Sequence, residues 1–240
     1  MTIWTKEISE SYLDLGKQPH VDLVFAAIKE LRSDLRGCNL LDFGCGDSRL
    51  SRQFALEGPN SFVLMDENHE MLEGAKNSLS ALPLTLRDRI HLIQGNETVL
   101  PLDSKFDAAI CCLTLMMMET RDRLDQAMLG LVQSLSSKGK LWVVITHPCF
   151  HEERHEDFHL ETSPTFHYWD SGSPYRVVLD NEEVQPVRFI DYHWTIDDYS
   201  RAVEKGGGTI HRLREIPGPT DKVRGPRKDP AYLLLEIAPI

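Results

Sequence analysis

LLDFGCGDS, residues 40–48, is where the chain changes from one kind of structure to another. The run Cys38-Asn-Leu-Leu-Asp-Phe-Gly44 is short and apolar and closes on Asp42 and Gly44, which predicts a buried strand. Residues 47–57 then read as a helix. Between them, Gly44 and Gly46 let the backbone bend sharply and approach a ligand where a side chain would clash. The same alternation extends outward. SFVLMD (61–66) reads as a second buried strand ending in an acid, ENHEMLEGAKNSLS (67–80) as a helix, and RIHLIQG (89–95) as a third strand. FDAAICCLTL (106–115) is a fourth strand, and TRDRLDQAMLGLVQSLSS (120–137) a long amphipathic helix stopped by Gly139. GKLWVVIT (139–146) is a fifth strand. Upstream, residues 20–35 place Val21, Val24, Phe25, Ile28 and Leu31 at helical spacing. Strands that are uninterrupted apolar runs, joined through helices by short connections, predict a parallel sheet covered on both faces.

After Thr146 the rhythm breaks. Residues 147–190 are rich in His, Pro, Glu and aromatics and show little periodicity. Order resumes at TIDDYSRAVEKGG, where Thr195 and Asp198 fit a capping box and Gly206 a helix stop. TIHRLREI and AYLLLEIAPI follow as strands, joined by a Pro/Gly/Lys/Arg loop. The expected organisation is one domain over 1–240: N-terminal cover helices (1–35), a ligand-binding core (36–146), a lid insert (147–190), and a C-terminal helix with strands (191–240).

Composition bounds the function. The formal net charge is −11, which repels phosphate backbones and argues against nucleic acid as a partner. The one basic stretch, Lys222 to Lys228, is broken by proline and glycine and reads as a solvated loop. No run approaches membrane-spanning length, and the five irregularly spaced cysteines suit reduced thiols, so a cytoplasmic protein without a membrane partner is expected.

An open parallel sheet binds ligands at the carboxyl ends of its strands, commonly at the first strand-to-helix turn. Asp66 follows Gly46 by 20 residues, at the end of the second strand, where a carboxylate can accept both hydroxyls of a ribose. A dinucleotide needs a third glycine where this chain has Arg49, and Asp47 would point a negative charge at its phosphates. Asp42, two positions before the first glycine, suits a cationic ligand instead.

The pattern D-x-G-x-G resembles the class I S-adenosylmethionine-dependent methyltransferases, in their bacterial small-molecule form. The resemblance continues in register. VLMDENHEMLEGAK looks like that family's second strand and helix, IQGNETVLP like its G-D-A-x-x-L-P segment with Asn96 for the aspartate, and FDAAICCLTLMMM like its fourth strand and loop. HPCF and DYHWTIDDY also look like elements of such enzymes. The resemblance implies a Rossmann-like, doubly wound α/β fold with a mostly parallel seven-stranded sheet, an antiparallel last strand and a lid inserted after strand five. It implies S-adenosylmethionine as cofactor, held by Tyr12, Asp42, Gly44, Cys45, Gly46, Asp66, Glu67, Met71, Gly95, Asn96, Glu97, Cys112 and Leu113. In that comparison Asp66 meets the ribose, Met71 packs on the adenine, and the Asn96 carbonyl accepts from the adenine amine.

A small-molecule acceptor is expected under the cover and lid, against Trp4, Tyr12, Met116, His147, Phe150, Trp169 and Tyr192. Methyl transfer is an in-line displacement at an already activated carbon, so the protein must position a lone pair and remove a proton. His147 and His193 are the candidate bases, with a structural hydrogen-bonding role as the alternative for each. The expected reaction is transfer to nitrogen or oxygen by a monomer or homodimer. The rivals are a cofactor-binding module without turnover and an RNA or protein methyltransferase.

HPCFHEERHEDFH (147–159) contains H-E-x-x-H twice, which on a helix would grip zinc as in a metalloprotease. Its neighbours are Glu152, Glu153, Arg154, Glu156 and Asp157 rather than burying apolar residues. A charged helical turn on the lid, holding no functional metal, is therefore expected. Cys149 is not expected to act as a nucleophile.

Overall fold

The computed structural model describes residues 4–15, 18–32, 34–100, 105–151, 155, 158–180, 185–218 and 229–240. The basic stretch 222–228 and residues 152–154, 156 and 157 lie outside that set. The chain opens with α1 (Lys6–Leu13) and α2 (Pro19–Leu31), then alternates β1 (Asn39–Phe43), α3 (Arg49–Ala55), β2 (Ser61–Asp66), α4 (His69–Leu79), α5 (Leu84–Arg87), β3 (Ile90–Gln94) and β4 (Phe106–Cys112). A single 3-10 turn, Leu115–Met117, leads to α6 (Arg121–Gln133) and β5 (Leu135–Thr146). After β6 (Phe158–Glu161), β7 (Pro174–Leu179) and β8 (Val187–Tyr192) come α7 (Ile196–Lys205), β9 (Gly208–Pro217) and β10 (Pro230–Pro239).

Seven strands form one sheet in the order β3-β2-β1-β4-β5-β10-β9. β1 to β5 are mutually parallel, and β10 runs antiparallel to both of its neighbours, β5 and β9. This is the predicted fold class. Both faces are buried, which is why the strands read as continuous apolar runs. Along β5, Leu141, Val143 and Ile145 join the core under α6 and α7. The intervening Trp142 and Val144 join the core under α2, α3 and α4. The chain winds from β1 toward β3 and then jumps back to β4, so a crevice opens at the carboxyl ends of β1 and β4.

Local signals set several boundaries. Thr195 and Asp198 form the predicted capping box on α7, and Gly206 is its C-cap. One boundary is corrected. Gly139 does not stop α6, which ends at Gln133 with Ser134 as its cap; it lies inside β5, where a Cβ would sit 2.7 Å from the Phe106 carbonyl oxygen. Its glycine serves a close approach to β4 across a register shift, and that approach is invisible to a one-dimensional reading.

The insert is more regular than expected. β6, β7 and β8 form an antiparallel sheet, and β8 runs to Tyr192, past the expected boundary at 190. The histidine tract is not a helical turn at its described positions. His151 lies in a turn, His155 is in neither helix nor strand, and His159 is in β6 with its Nδ1 2.9 Å from Asp180. His151 and His155 are buried rather than solvated. Among the described residues no group of three His, Cys, Asp or Glu could hold a metal ion, and no helix is long and apolar enough to cross a membrane.

Candidate active site

A cavity occupies the crevice at the ends of β1, β2 and β4. Its floor is the 44–48 loop. Gly44 has φ +73°, and a Cβ there would overlap the Thr114 side chain. The Gly44 and Cys45 amides donate to the Met65 carbonyl at 2.8 and 3.0 Å, pinning the turn to β2. Gly46 has φ +54°, and a Cβ on it would meet nothing within 4 Å: that face of the loop is open to a ligand. Ser48 (φ 61°) and Leu113 (φ 54°) also take left-handed backbone. Such residues cost on the order of 1 kcal/mol each and gather where a binding surface dictates the backbone path.

Two carboxylates face this floor. Asp66 accepts from the Gly46 amide (2.8 Å) and the Asn68 amide (2.9 Å), one on each oxygen, which fixes its plane toward the cavity. Burial raises its pKa to about 6 against those two amides, so it is ionised at neutral pH. Asp42 is buried (2% exposed) and accepts the Ser51 hydroxyl on Oδ2, while its Oδ1 has no hydrogen-bond partner among the described residues. Burial pushes the Asp42 carboxyl up to about 7, opposed by the Ser51 bond. A buried, unpaired carboxyl oxygen in a cavity wall calls for a cationic donor.

At the far end, Met71 is buried beneath the cavity, and Gly95, Asn96, Glu67 and Glu97 line it. Asn96 Oδ1 already accepts from the Thr98 amide (3.1 Å) and hydroxyl (2.7 Å), so both its lone pairs are used. That corrects the expectation that this oxygen meets the adenine amine; Asn96 has its side-chain N–H groups to offer instead. Glu97 is clamped by Arg123 from α6 at 2.6 and 3.0 Å. Burial raises the Glu97 carboxyl, but the Arg123 bonds outweigh it and hold the pKa below the ordinary value.

The roof comes from the N-terminal segment. Trp4, Tyr12, Gln18 and His20 line the cavity. The Tyr12 hydroxyl donates to Gln18 Oε1 at 2.9 Å, and Trp4 meets the Tyr12 ring edge-on at 5.1 Å. Trp4 Nε1 and Gln18 Nε2 are buried donors without a partner among the described residues. Burial and the nearby Arg49 lower His20 to about 4, so its imidazole is neutral.

The cavity wall therefore includes all the residues expected to hold the cofactor, Cys45, Cys112 and Leu113 among them. The expected acceptor residues divide. Trp4 and Tyr12 line the cavity, but Met116 is buried in the core and Met117 and Met118 take its place. Neither candidate base faces the cavity. His147 Nε2 lies 3.3 Å from Glu215 on β9 and its Nδ1 accepts from the Cys149 amide; burial lowers its pKa against the Glu215 carboxylate. His193 Nε2 donates to the Tyr168 carbonyl at 2.7 Å, and its ring stands edge-on to His151 and Phe166. Phe150 packs on His147, Tyr192 packs against the core, and Trp169 is 77% exposed. All of these are corrected away from the wall: Trp169 is open to solvent, and the others share one cause. The lid sheet turns this side of the insert toward β9, α7 and its own aromatic cluster. Gln18, His20, Asp47, Arg49, Thr114 and Arg123 line the cavity without having been singled out for that role. Asp47 and Arg49 were legible only as arguments against a phosphate; Arg123 reaches in from α6 and left no local signal.

Residues 40–139 match the family model described as a methyltransferase domain. The chain is 24% identical over 196 residues to the N-demethylindolmycin N-methyltransferase of Streptomyces griseus, covering 82% of this chain and 78% of that protein. Its fold is similar to the crystal structure of the CcbJ methyltransferase from Streptomyces caelestis (TM-score 0.71, 13% identity, 99% of this chain and 98% of that one). It is also similar to the glycopeptide N-methyltransferase MtfA in complex with S-adenosylmethionine (TM-score 0.63, 15% identity, 94% and 100%). Sheet order, crevice and domain match converge: residues 40–139 carry a methyltransferase domain, and the chain has the fold of the S-adenosylmethionine-dependent methyltransferases.

Proposed function

We propose that this methyltransferase acts on a nitrogen or oxygen of a small molecule, nitrogen first, with the cofactor lying along the cavity from Asp42 to Glu97. The observation that carries the cofactor placement is the unpaired Asp42 Oδ1 beside the open face of Gly46. The residues fit the group. Asp42 takes its ammonium, Asp66 accepts from its ribose hydroxyls with the lone pairs its two amides leave over, and Met71 and Gly95 flank its base. The cofactor supplies a methyl carbon already activated by the sulfonium, so no side chain has to activate the donor. The protein's task is to orient an acceptor lone pair and exclude water. Trp4, Met117 and Met118 give the acceptor an apolar berth, with the Trp4 indole N–H as the polar anchor.

His147 and His193 hold the lid in this reading. Among the described residues of the wall His20 is the imidazole; burial and Arg49 keep it neutral and disfavour its protonation, so it serves as a hydrogen-bond partner rather than a base. The relatives named for N-methylation support nitrogen as the acceptor. The charge of −11 argues against RNA. Residues 36–146 serve as the cofactor half, with 1–35 and 147–190 as cover and lid. Titration with S-adenosylmethionine and S-adenosylhomocysteine, followed by a labelled-methyl screen over small amines, phenols, RNA and protein, tests the proposal. Label entering only RNA or protein refutes it, as does a failure to bind either compound.

A further inference from the structure

Arg49 stands at the first position of α3, where helices favour acidic side chains, and at the site of a third loop glycine. Its guanidinium nevertheless has an organised environment. Nε lies 2.6 Å from the Asp47 carboxylate, while the terminal nitrogens donate to the Leu15 carbonyl at 2.8 Å and the Leu13 carbonyl at 3.3 Å. Those carbonyls sit at the C-terminal end of α1, where the helix leaves acceptors unpaired. One side chain of the cofactor loop thus caps the roof helix from outside.

A separate observation concerns the same helix. Gly74 lies in the interior of α4, where glycine is unfavourable. A Cβ there would come within 2.5 Å of the Leu13 Cδ2 and 3.5 Å of the Asp47 Cβ. The missing side chain is a notch that seats Leu13. The opposite end of the segment is tied by Asn68 Nδ2 donating to the Trp4 carbonyl at 3.1 Å, with the Trp4 ring 5.1 Å from Phe189 of the lid sheet.

We infer that Arg49 and the Gly74 notch form a latch that docks the N-terminal roof onto the cofactor loop, and that this docking sets cofactor affinity. Arg49 is a positioning residue. By fixing the end of α1 it places Tyr12, and through it Gln18, over the cavity, and it links the loop that carries Gly44 and Gly46 to the cover above. The affinity half of the inference rests on the cavity being the cofactor site; the docking half does not. Where a ligand binds a closed form that is populated a fraction f of the time, the apparent dissociation constant rises by 1/f, so a roof closed one-tenth of the time weakens binding about tenfold.

The test uses the full chain with two variants. Arg49→Lys keeps the charge but loses the planar fork that spans three acceptors. Gly74→Val fills the notch with a residue no worse in a helix than glycine; it leaves Arg49 itself in place, its nearest wall contact being the Asp47 Cβ at 3.5 Å. Hydrogen exchange on the ligand-free proteins should rise about tenfold in residues 4–15 in both variants, with β1 and β5 unchanged. For Gly74→Val, the S-adenosylmethionine KM and the S-adenosylhomocysteine Kd should rise about tenfold, while kcat at saturation stays within twofold and the melting temperature does not fall. Unchanged exchange in 4–15 overturns the latch whatever the cavity binds. Raised exchange with wild-type S-adenosylhomocysteine affinity overturns its link to the cofactor. A uniform rise in exchange with a lower melting temperature would make both positions merely structural.

Discussion

Replacing Asp42 by asparagine should stabilise the protein at alkaline pH while crippling its cofactor binding. The carboxyl is 2% exposed, one oxygen is unpaired, and burial raises its pKa from 3.8 to about 7. A carboxyl raised in the folded state holds its proton after the unfolded chain has released it, so stability is full below pH ~4, falls as pH climbs to ~7, and then levels off. About three units at 1.36 kcal/mol each bound the cost at about 4 kcal/mol. Asparagine removes that titration but places an amide donor where Oδ1 has no partner, which costs about 1–3 kcal/mol. The Asp42→Asn protein should therefore be equal to or slightly less stable than wild type at pH 5. At pH 8 it should be more stable by about 1–3 kcal/mol, a rise of several degrees in melting temperature at roughly 2–4 °C per kcal/mol. Binding should move the other way. Loss of a charge-assisted hydrogen bond of about 1.5–3 kcal/mol weakens S-adenosylmethionine roughly ten- to a hundredfold. Wild-type affinity should also decline as pH falls below ~7, because protons compete with the ammonium for Asp42; the variant should lose about one proton of that dependence and keep the part due to Asp66. Calorimetric titrations and thermal melts at pH 5, 6, 7 and 8 measure both arms. A variant that binds within twofold of wild type with the same pH slope shows that Asp42 does not meet the ammonium. Stability curves that stay parallel from pH 4 to 8 show that burial does not load this carboxyl.

Asp66→Ala removes the acceptor that organises the Gly46 and Asn68 amides together with the proposed ribose contact; cofactor Kd should rise at least ~100-fold while circular dichroism stays native, and an unchanged Kd removes Asp66 from the site. Chelators should leave methyl transfer within a few-fold, whereas His151→Ala should lower stability by about 2–4 kcal/mol because its ring packs among Phe166, Tyr175 and His193. Activity abolished by chelation and restored by stoichiometric metal would make the insert a metal site after all. Trp169→Ala should leave the acceptor KM within about twofold, since the indole is 77% exposed and outside the cavity wall; a tenfold rise would mean that the lid closes further on the substrate.

Much of the cofactor half was legible because its determinants are local. The strand, the turn and the acid at the end of the next strand are written consecutively in 38–48 and 61–66, and a parallel sheet buried on both faces forces each strand to be an apolar run. The capping box of α7 is four residues long and was readable for the same reason. The insert was opaque because its strands are short and irregularly buried. β7 is exposed at Pro174 and Arg176 but buried at both Val177 and Val178, which breaks the period-two signal.

The sequence by itself thus determined the order of elements from β1 to β5 and from α7 to β10, the glycine turn after β1 and the acids that face it, since each depends on neighbours a few positions away. The tertiary structure alone decided which way the histidines face. Spacing of four residues invited a shared helical surface for His147, His151, His155 and His159. Instead His147 pairs with Glu215, 68 residues on, and His151 stacks with Phe166 within the lid. It also decided that Arg49, read as a missing glycine, reaches back 36 residues to α1's last carbonyl, Leu13, and 34 to Leu15 just beyond the helix, and that Arg123 reaches 26 residues to Glu97. A side chain's partner is set by what packing places within about 3 Å of its polar atoms, and that proximity is a property of the closed chain, created only when the sheet, roof and lid are assembled around the crevice.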